Sequence, residues 1–388
     1  MQYGRPIRDL WELEPGAIFL NHGSFGACPK EVLAEQDRIR RRMEAAPDQF
    51  FRNGIMPREG ASELRAALAQ IGAFVNAEER QLAFVENATA ATQAALRSIA
   101  FKPGDRILTT DHGYNAVRLM VEARCRETGA APLVVRLPKA IDADAIVASV
   151  EAAVTPEVKL AIVDHITSPT ALTLPLDRII PILRKHGARV FVDGAHGIGQ
   201  LPLDLKAIDA DWYTSNAHKW LYAPKGTAFL YASDAVASIT RPNVVSHFDE
   251  MGFPRAFDYT GTRDNSGWLA IPAALKFFES LDPAAARAHH TRLLEECSVL
   301  LASIGIQPIA PMGFSASMRS FLLPQERAAT QLDVTELMRM LWERERIQMT
   351  AMLFREQLLV RVSAQAYVDV EDIRRLRDAL ERHGWPGR

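Results

Sequence analysis

Five polar clusters carry most of the chemistry in this sequence. They are Glu86-Asn87-Ala88-Thr89-Ala90, Asp111-His112, Asp164-His165-Ile166-Thr167-Ser168, Asp193-Gly194-Ala195-His196 and Ser215-Asn216-Ala217-His218-Lys219-Trp220. Any one of these histidines, taken alone, is an ordinary capped or core residue. The clusters share a position, however: each follows a short apolar run that reads as a strand, and the carboxyl ends of neighbouring strands open on one crevice. One cofactor chemistry uses the whole set. Pyridoxal phosphate needs a lysine for its aldehyde, a carboxylate to keep its pyridine nitrogen protonated, a phosphate cradle and a flat group over its ring. Lys219, Asp193, the helix start at 88–91 and His112 fill those places in turn. Small residues at a helix start expose N–H groups to an anion, although plain N-capping by Asn87 or Thr89 also explains that segment. A metal hydrolase would use the same Asp and His residues, but it leaves Lys219 idle and no HExxH-like spacing is present. A Walker loop and a GxGxxG are absent as well.

The elements that must position these residues follow from periodicity. Strand-like runs occur at LAFV (82–85), RILTT (106–110), PLVVRL (132–137), KLAIVDHI (159–166), RVFVD (189–193), DWYT (211–214) and TAFLY (227–231). Helical stretches at 89–100, 113–128, 141–153 and 176–187 alternate with them. Continuous apolar strands alternating with helices predict an α/β fold with a buried, mostly parallel sheet covered on both faces. Upstream, the loop Asn21-His22-Gly23-Ser24-Phe25-Gly26 ends at Pro29 and suits a close approach; helices are expected over 31–46 and 61–74. Beyond residue 267 the pattern predicts long helices (267–280, 284–304), short strands near 305–309, 318–323 and 358–362, and a closing helix at 370–383. The expected division is an arm at 1–30, which also forms part of the small domain, a large cofactor-binding domain at 31–266 and a small α+β domain at 267–388.

Composition narrows the function classes. The 388 residues carry 45 Lys plus Arg against 47 Asp plus Glu, with 48% hydrophobic and 24% charged content, which excludes wholesale disorder. Near-neutral charge gives no global pull toward nucleic acid, and the run Arg38-Ile39-Arg40-Arg41-Arg42, flanked by acids, reads as a solvated helix face. Cys28, Cys125 and Cys297 are odd in number and far apart, so neither a disulfide framework nor a paired zinc motif is available. The start MQYGRPIRDLWELEPG lacks a secretory pattern. No stretch approaches the ~20 apolar residues of a membrane span, and a cytoplasmic location is expected.

VFVDGAHGIGQLPLDL followed by DWYTSNAHKWLYAPKGTAFLY resembles the class V aminotransferase family of fold type I pyridoxal phosphate enzymes. FLNHGSFGACP, SPTALTLPL and DYTGTRDNSGWLAIPAAL resemble most its isopenicillin N epimerase-like branch. The likeness runs from about residue 17 to residue 375. It implies a mixed, mostly parallel seven-stranded sheet with a smaller C-terminal α+β domain, and pyridoxal 5'-phosphate as cofactor. Residue by residue, it implies that Lys219 carries the cofactor and moves the α-proton, and that Asp193 faces the pyridine nitrogen. His196 would contact the phenolic oxygen and His112 cover the ring. Ala88, Thr89, Ala90, Asn216 and His218 would contact the phosphate, and Thr262 would reach a neighbouring subunit's phosphate in a homodimer with shared sites. Arg361, in Val360-Arg361-Val362-Ser363, would grip an amino-acid α-carboxylate, for which a bidentate guanidinium is apt. The family's usual Tyr-Asn pair after that arginine is Tyr367-Val368 here, which reads as structural variation.

Such a site abstracts an α-proton with Lys219 as base. Epimerisation, transamination or elimination then follows according to the outer pocket. The family's desulfurases need a mobile cysteine shortly before the carboxylate arginine. No cysteine lies between Cys297 and Arg361, so persulfide-forming desulfuration is disfavoured, while a cysteine-type C–S lyase stays open. His22 and Arg263 are expected to face the substrate. Arg52 and Arg58 lie in segments that could also do so, with solvated surface as their ordinary reading. A rival from another class is a non-catalytic sensor keeping the fold, against which the retained cofactor residues argue.

Overall fold

A computed structural model describes residues 2–57 and 60–385. Among the described residues thirteen strands form three sheets: β1 (Ile18–Phe19), β2 (Leu82–Val85), β3 (Arg106–Thr110), β4 (Ala131–Val135), β5 (Val158–Asp164), β6 (Arg189–Asp193), β7 (Trp212–Ser215), β8 (Ala228–Ala232), β9 (Gln307–Pro308), β10 (Met318–Leu323), β11 (Ile347–Gln348), β12 (Thr350–Phe354) and β13 (Gln357–Ser363). The central sheet has seven strands in the order β2-β8-β7-β6-β5-β3-β4. From β7 to β4 every pairing is parallel, whereas β8 is antiparallel to both β7 and β2. Since β2 is reversed twice, it points the same way as the parallel strands. Six of the seven carboxyl ends therefore open on one edge, and that edge receives every polar cluster named above.

The apolar runs become strands because both faces are covered. Val158, Leu160, Ala161, Val163, Val190, Phe191, Val192, Trp212 and Tyr213 are all buried, as a sheet packed on both sides requires. Helices at Ala88–Ser98, Asn115–Thr128, Ala143–Ala153 and Leu176–Lys185 supply the layers. Their starts are set locally: the Asn87 side chain accepts from Ala90 N–H and that of Asp142 from Ala145 N–H. The helix at Lys30–Ala45 ends its contacts on the helices at Ser266–Leu269 and Ile271–Ser280.

A second, four-stranded sheet runs β12-β13-β10-β9, all antiparallel. The third is the two-residue parallel pairing of β1 with β11, which ties the N-terminal segment to the C-terminal part of the chain. The expected helix at 267–280 is interrupted: it runs as Ser266–Leu269 and Ile271–Ser280, with Ala270 between. Pro272 sits in the first turn of the second piece, where a missing N–H costs nothing. The strand expected near 305–309 shrinks to Gln307–Pro308. A 15-residue helix at Gln331–Glu345 and the strand β12 were not foreseen. Among the described residues no helix is long and apolar enough to cross a membrane, and no cluster of His, Cys, Asp and Glu is arranged to hold a metal.

Candidate active site

Lys219 lies in a four-residue helix, Ala217–Trp220, that begins just past β7. Its backbone is fixed from three sides. Lys219 N–H donates to Asn216 O at 3.1 Å, and its carbonyl accepts from His22 Nε2 at 2.9 Å. Gly26 packs so close that an added Cβ would stand 2.8 Å from Lys219 Cα and 2.5 Å from its carbonyl oxygen, which only glycine tolerates. The Lys219 amine points into a cavity of about 330 Å³ whose wall also includes Asn87, Ala88, Thr89, Asp193, His196, Asn216, His218 and Arg361. Burial and the nearby Arg361 guanidinium lower the amine to about 7. A large share of it is therefore unprotonated near neutral pH, as a nucleophile or base must be.

Asp193 ends β6 and its carboxylate accepts from Ala195 N–H at 2.9 Å. Burial raises its pKa, opposed by that hydrogen bond and by Lys219. Asp164 ends β5 in register with Asp193, lines the same cavity and is raised further by burial and by Asp193 itself. Two adjacent buried carboxyls cannot both ionise readily, and a cation between them and Lys219 would relieve the cost. The His196 imidazole lies beside the lysine, with Nε2 3.4 Å from Lys219 Nζ. Trp220 Nε1–H donates to His196 Nδ1 at 3.3 Å, which leaves Nε2 as the protonated nitrogen of the neutral ring. His218 Nδ1 donates to Thr227 O at 2.8 Å.

The helix start at Asn87, Ala88 and Thr89 also lines the cavity. Ala88 N–H donates to the Asn216 side-chain oxygen and Ala90 N–H to that of Asn87, both at 2.9 Å. Between them, the Thr89 hydroxyl has no partner among the described residues. A helix N-terminus with a free donor of this kind favours phosphate. On the opposite wall Arg361 is 2% exposed and has no carboxylate partner among the described residues. Its guanidinium donates to Ser168 O at 2.5 Å and to Ser24 Oγ at 2.9 Å, while Nε is buried with no partner among the described residues. An unpaired buried cation facing a cavity is costly and calls for an anionic ligand.

Several expected residues lie elsewhere. His22, expected to face the substrate, is wholly buried: its Nδ1 accepts from the Tyr367 hydroxyl at 2.8 Å and its Nε2 supports the Lys219 carbonyl. It is a prop for the lysine, not a substrate contact, and burial lowers it to about 3. Arg263 is turned from the cavity; it pairs with Glu86 and stacks over the Trp268 ring at 5.1 Å. His112 is not among the residues that line the cavity, although Tyr114, two positions on, is. The His112 ring is 2% exposed, bonded to Thr170 Oγ1 at 2.7 Å and packed edge-on against Phe354, and burial lowers it to about 4. Thr262 is exposed, bonded to the Tyr259 hydroxyl at 2.8 Å, and lines a separate open groove with Phe51, Asn53 and His247. Arg52 pairs with Asp48 on the surface. Arg58 lies outside the described residues. Conversely, Ser24, Tyr114, Asp164 and Ser168 line the cavity without having been singled out as site residues. Tyr114 was legible only as a residue two positions beyond His112; Asp164 showed the same strand-end signal as Asp193.

A second cavity of about 500 Å³ adjoins the first through Ser24, Tyr114, Asp164, Ser168, Asp193 and Arg361, and extends under Met352, Leu353 and Phe354 of β12. Arg355, at the β12–β13 turn, clamps this strand to the central sheet through Asp111 at 2.5 Å and Leu137 O at 2.8 Å.

Known proteins share this architecture. The family model for Aminotransferase class-V matches residues 27–376. The isopenicillin N epimerase of Amycolatopsis lactamdurans is 30% identical over 396 residues, covering 96% of this chain and 97% of that protein. A chloroplastic protein of Arabidopsis thaliana, described as a probable L-cysteine desulfhydrase, is 33% identical over 400 residues, covering 95% and 83%. In three dimensions, the cystine C-S lyase C-DES in complex with cysteine persulfide superposes with a TM-score of 0.80 at 21% identity, over 94% of this chain and 97% of that one. That last likeness speaks for the fold alone. The sequence matches, together with the lysine, paired carboxyls and helix start on one sheet edge, lead to one conclusion: the chain belongs to the class V aminotransferase family of pyridoxal 5'-phosphate enzymes.

Proposed function

We propose that the protein moves a proton at the α-carbon of an amino acid, with an epimerase-like outcome. The observation that carries this reading is the pairing of Lys219, lowered to about 7, with the unpaired buried Arg361 across one cavity. Pyridoxal phosphate, when bound, supplies the electron sink that makes an α-proton acidic. The Thr89 hydroxyl, with Asn216 and His218, would hold the phosphate, whereas the Ala88 and Ala90 N–H groups expected to join them are already given to Asn216 and Asn87. Asp193 would keep the pyridine nitrogen protonated, and His196 Nε2–H would reach the phenolic oxygen. Arg361, with Ser24 and Ser168 behind it, orients the substrate by its carboxylate. Lys219 takes the α-proton on Nζ.

Elimination from a cysteine-type substrate is the second reading, favoured by the desulfhydrase relative. The three cysteines are all buried and none lines either cavity, so elimination here would proceed without a cysteine acceptor. We also infer a homodimer. The exposed Thr262 and the groove beside it would then face a partner's phosphate site, as the family resemblance implies; sedimentation of the purified protein tests this.

The test of the main reading has two parts. Borohydride reduction followed by peptide mass analysis is expected to fix the cofactor on Lys219 in wild type and nowhere in a folded Lys219→Ala variant. Proton NMR in heavy water with an amino-acid panel then reports stereoinversion, keto acid, or ammonia with sulfide. A wild-type protein that traps no cofactor on Lys219 sinks the proposal.

A further inference from the structure

Inversion at a carbon requires proton delivery from the side that the abstracting base does not occupy. Lys219 is one such group, and the cavity wall can be searched for the other. Asp193 is tied to Ala195 N–H at the cavity floor. His196 and His218 lie on the Lys219 side, one 3.4 Å from the amine and the other its neighbour in sequence. Arg361 already has its place as the carboxylate grip. Asp164 is beside Asp193 on the floor. Among the described residues that line the first cavity, the remaining ionisable group is Tyr114, which lines the second cavity as well.

Topology puts Tyr114 opposite the lysine. Lys219 is four residues past the end of β7, and Tyr114 is four residues past the end of β3. Between those strands lie β6 and β5, so the two residues start three strand spacings apart, or about 14 Å. A lysine and a tyrosine side chain each reach roughly 6 Å, so their tips converge over the ends of β6 and β5, where Asp193 and Asp164 sit. Tyr114 is 47% exposed and its hydroxyl takes no hydrogen-bond partner among the described residues, unlike the phenols of Tyr213, Tyr222 and Tyr367. It also lies near enough to Arg361 to act on the guanidinium charge.

We propose that Tyr114 is the second acid–base group of this site, giving a proton to the α-carbon on the face that Lys219 cannot reach. This rests on the α-carbon reading above. The Lys219 Nζ lone pair forms an N–H bond as the α-C–H bond breaks, and the electron pair stays with the substrate. The Tyr114 O–H bond then breaks as a new C–H bond forms on the other face. The phenolate left beside Arg361 regains its proton from water in the second cavity, and the Lys219 ammonium returns its own to solvent. No oxidant or reductant enters.

The test compares wild type with Tyr114→Phe in heavy water, on a panel of proteinogenic amino acids supplied as separate enantiomers. Wild type is expected to insert deuterium with inversion. Tyr114→Phe is expected to lose inversion about 100-fold or more, the scale of a lost general acid, while deuterium still enters with retention from the Lys219 side. Two further readouts exclude a structural role: the visible absorbance of the Lys219-bound cofactor, and the affinity for an α-methyl amino acid, which has no α-proton. Both are expected to match wild type. Inversion by Tyr114→Phe within threefold of wild type overturns the assignment. So does wild-type exchange with retention only, which would leave the α-carbon reading standing. Absence of any wild-type exchange, with the cofactor trapped on Lys219, overturns both.

Discussion

The two walls of the cavity are built on opposite principles. On the Lys219 wall nearly every polar atom has a protein partner: His22 and Asn216 hold the lysine backbone, Thr227 holds His218, and Trp220 holds His196. On the facing wall the groups are positioned but unsatisfied. Arg361 keeps a buried Nε without a partner among the described residues, under a β12–β13 hairpin clamped by Arg355 on Asp111. The difference separates two tasks. A group that carries out chemistry must be held in place before the substrate arrives. A group that recognises a ligand must keep donors in reserve, because donors already satisfied by protein have little left to offer it.

The largest test of this contrast is Arg361→Gln. Removing a buried guanidinium from a charged ligand costs about 2–5 kcal/mol, so kcat/KM for the substrate is expected to fall on the order of 10²–10³-fold. Borohydride trapping on Lys219 should persist, since the hydrogen bonds that fix the lysine backbone come from its own wall. Steady-state kinetics and peptide mapping check the pair. Loss of trapping in Arg361→Gln would break the contrast by showing that Lys219 owes its placement, and not only its proton affinity, to the facing wall.

A smaller effect is expected from the prop beneath the lysine. His22→Phe keeps the ring but removes the donor to the Lys219 carbonyl and the acceptor for the Tyr367 hydroxyl. Leaving the buried Tyr367 hydroxyl without a partner, and the Lys219 carbonyl with only backbone donors, costs about 1–3 kcal/mol for the stranded hydroxyl, read as a lower urea midpoint with unchanged slope. A binding role for His22 would instead raise KM and leave stability alone.

The sequence revealed one wall far better than the other. Asp193 and Lys219 stand at strand ends whose apolar runs are unmistakable, and their chemistry needs fixed residue types. The helix start at Ala88–Ala90 was legible from small residues after β2. The facing wall is assembled from segments hundreds of residues apart: Ser24 from the N-terminal loop, Ser168 after β5, and Arg361 with β12 from the second sheet. No local spacing reports such a meeting, and only resemblance pointed to Arg361. His22 failed as a substrate contact for a physical reason. A polar residue in a glycine-rich loop looks the same in sequence whether it faces a ligand or supports a backbone. The helix Gln331–Glu345 was missed because just four of its fifteen residues are buried, so its apolar stripe is thin.

The finest test concerns proton balance across the cavity. Arg361 is among the causes that hold Lys219 at about 7, second to burial, while Asp193 works in the opposite sense. A lysine whose pKa is lowered in the folded protein is unprotonated above that value. Cofactor attachment to the apo-protein should therefore accelerate as pH rises through about 7 and then level off. In Arg361→Gln the positive neighbour is gone and Asp193 remains, so the amine holds its proton more tightly. The inflection is expected to move upward, toward the 10.5 of an ordinary lysine but short of it, because burial is untouched. Stopped-flow absorbance against pH measures both curves. An inflection that stays at the wild-type value in Arg361→Gln would mean that burial alone tunes the lysine, and that the recognising wall has no electrostatic hold on the chemical one.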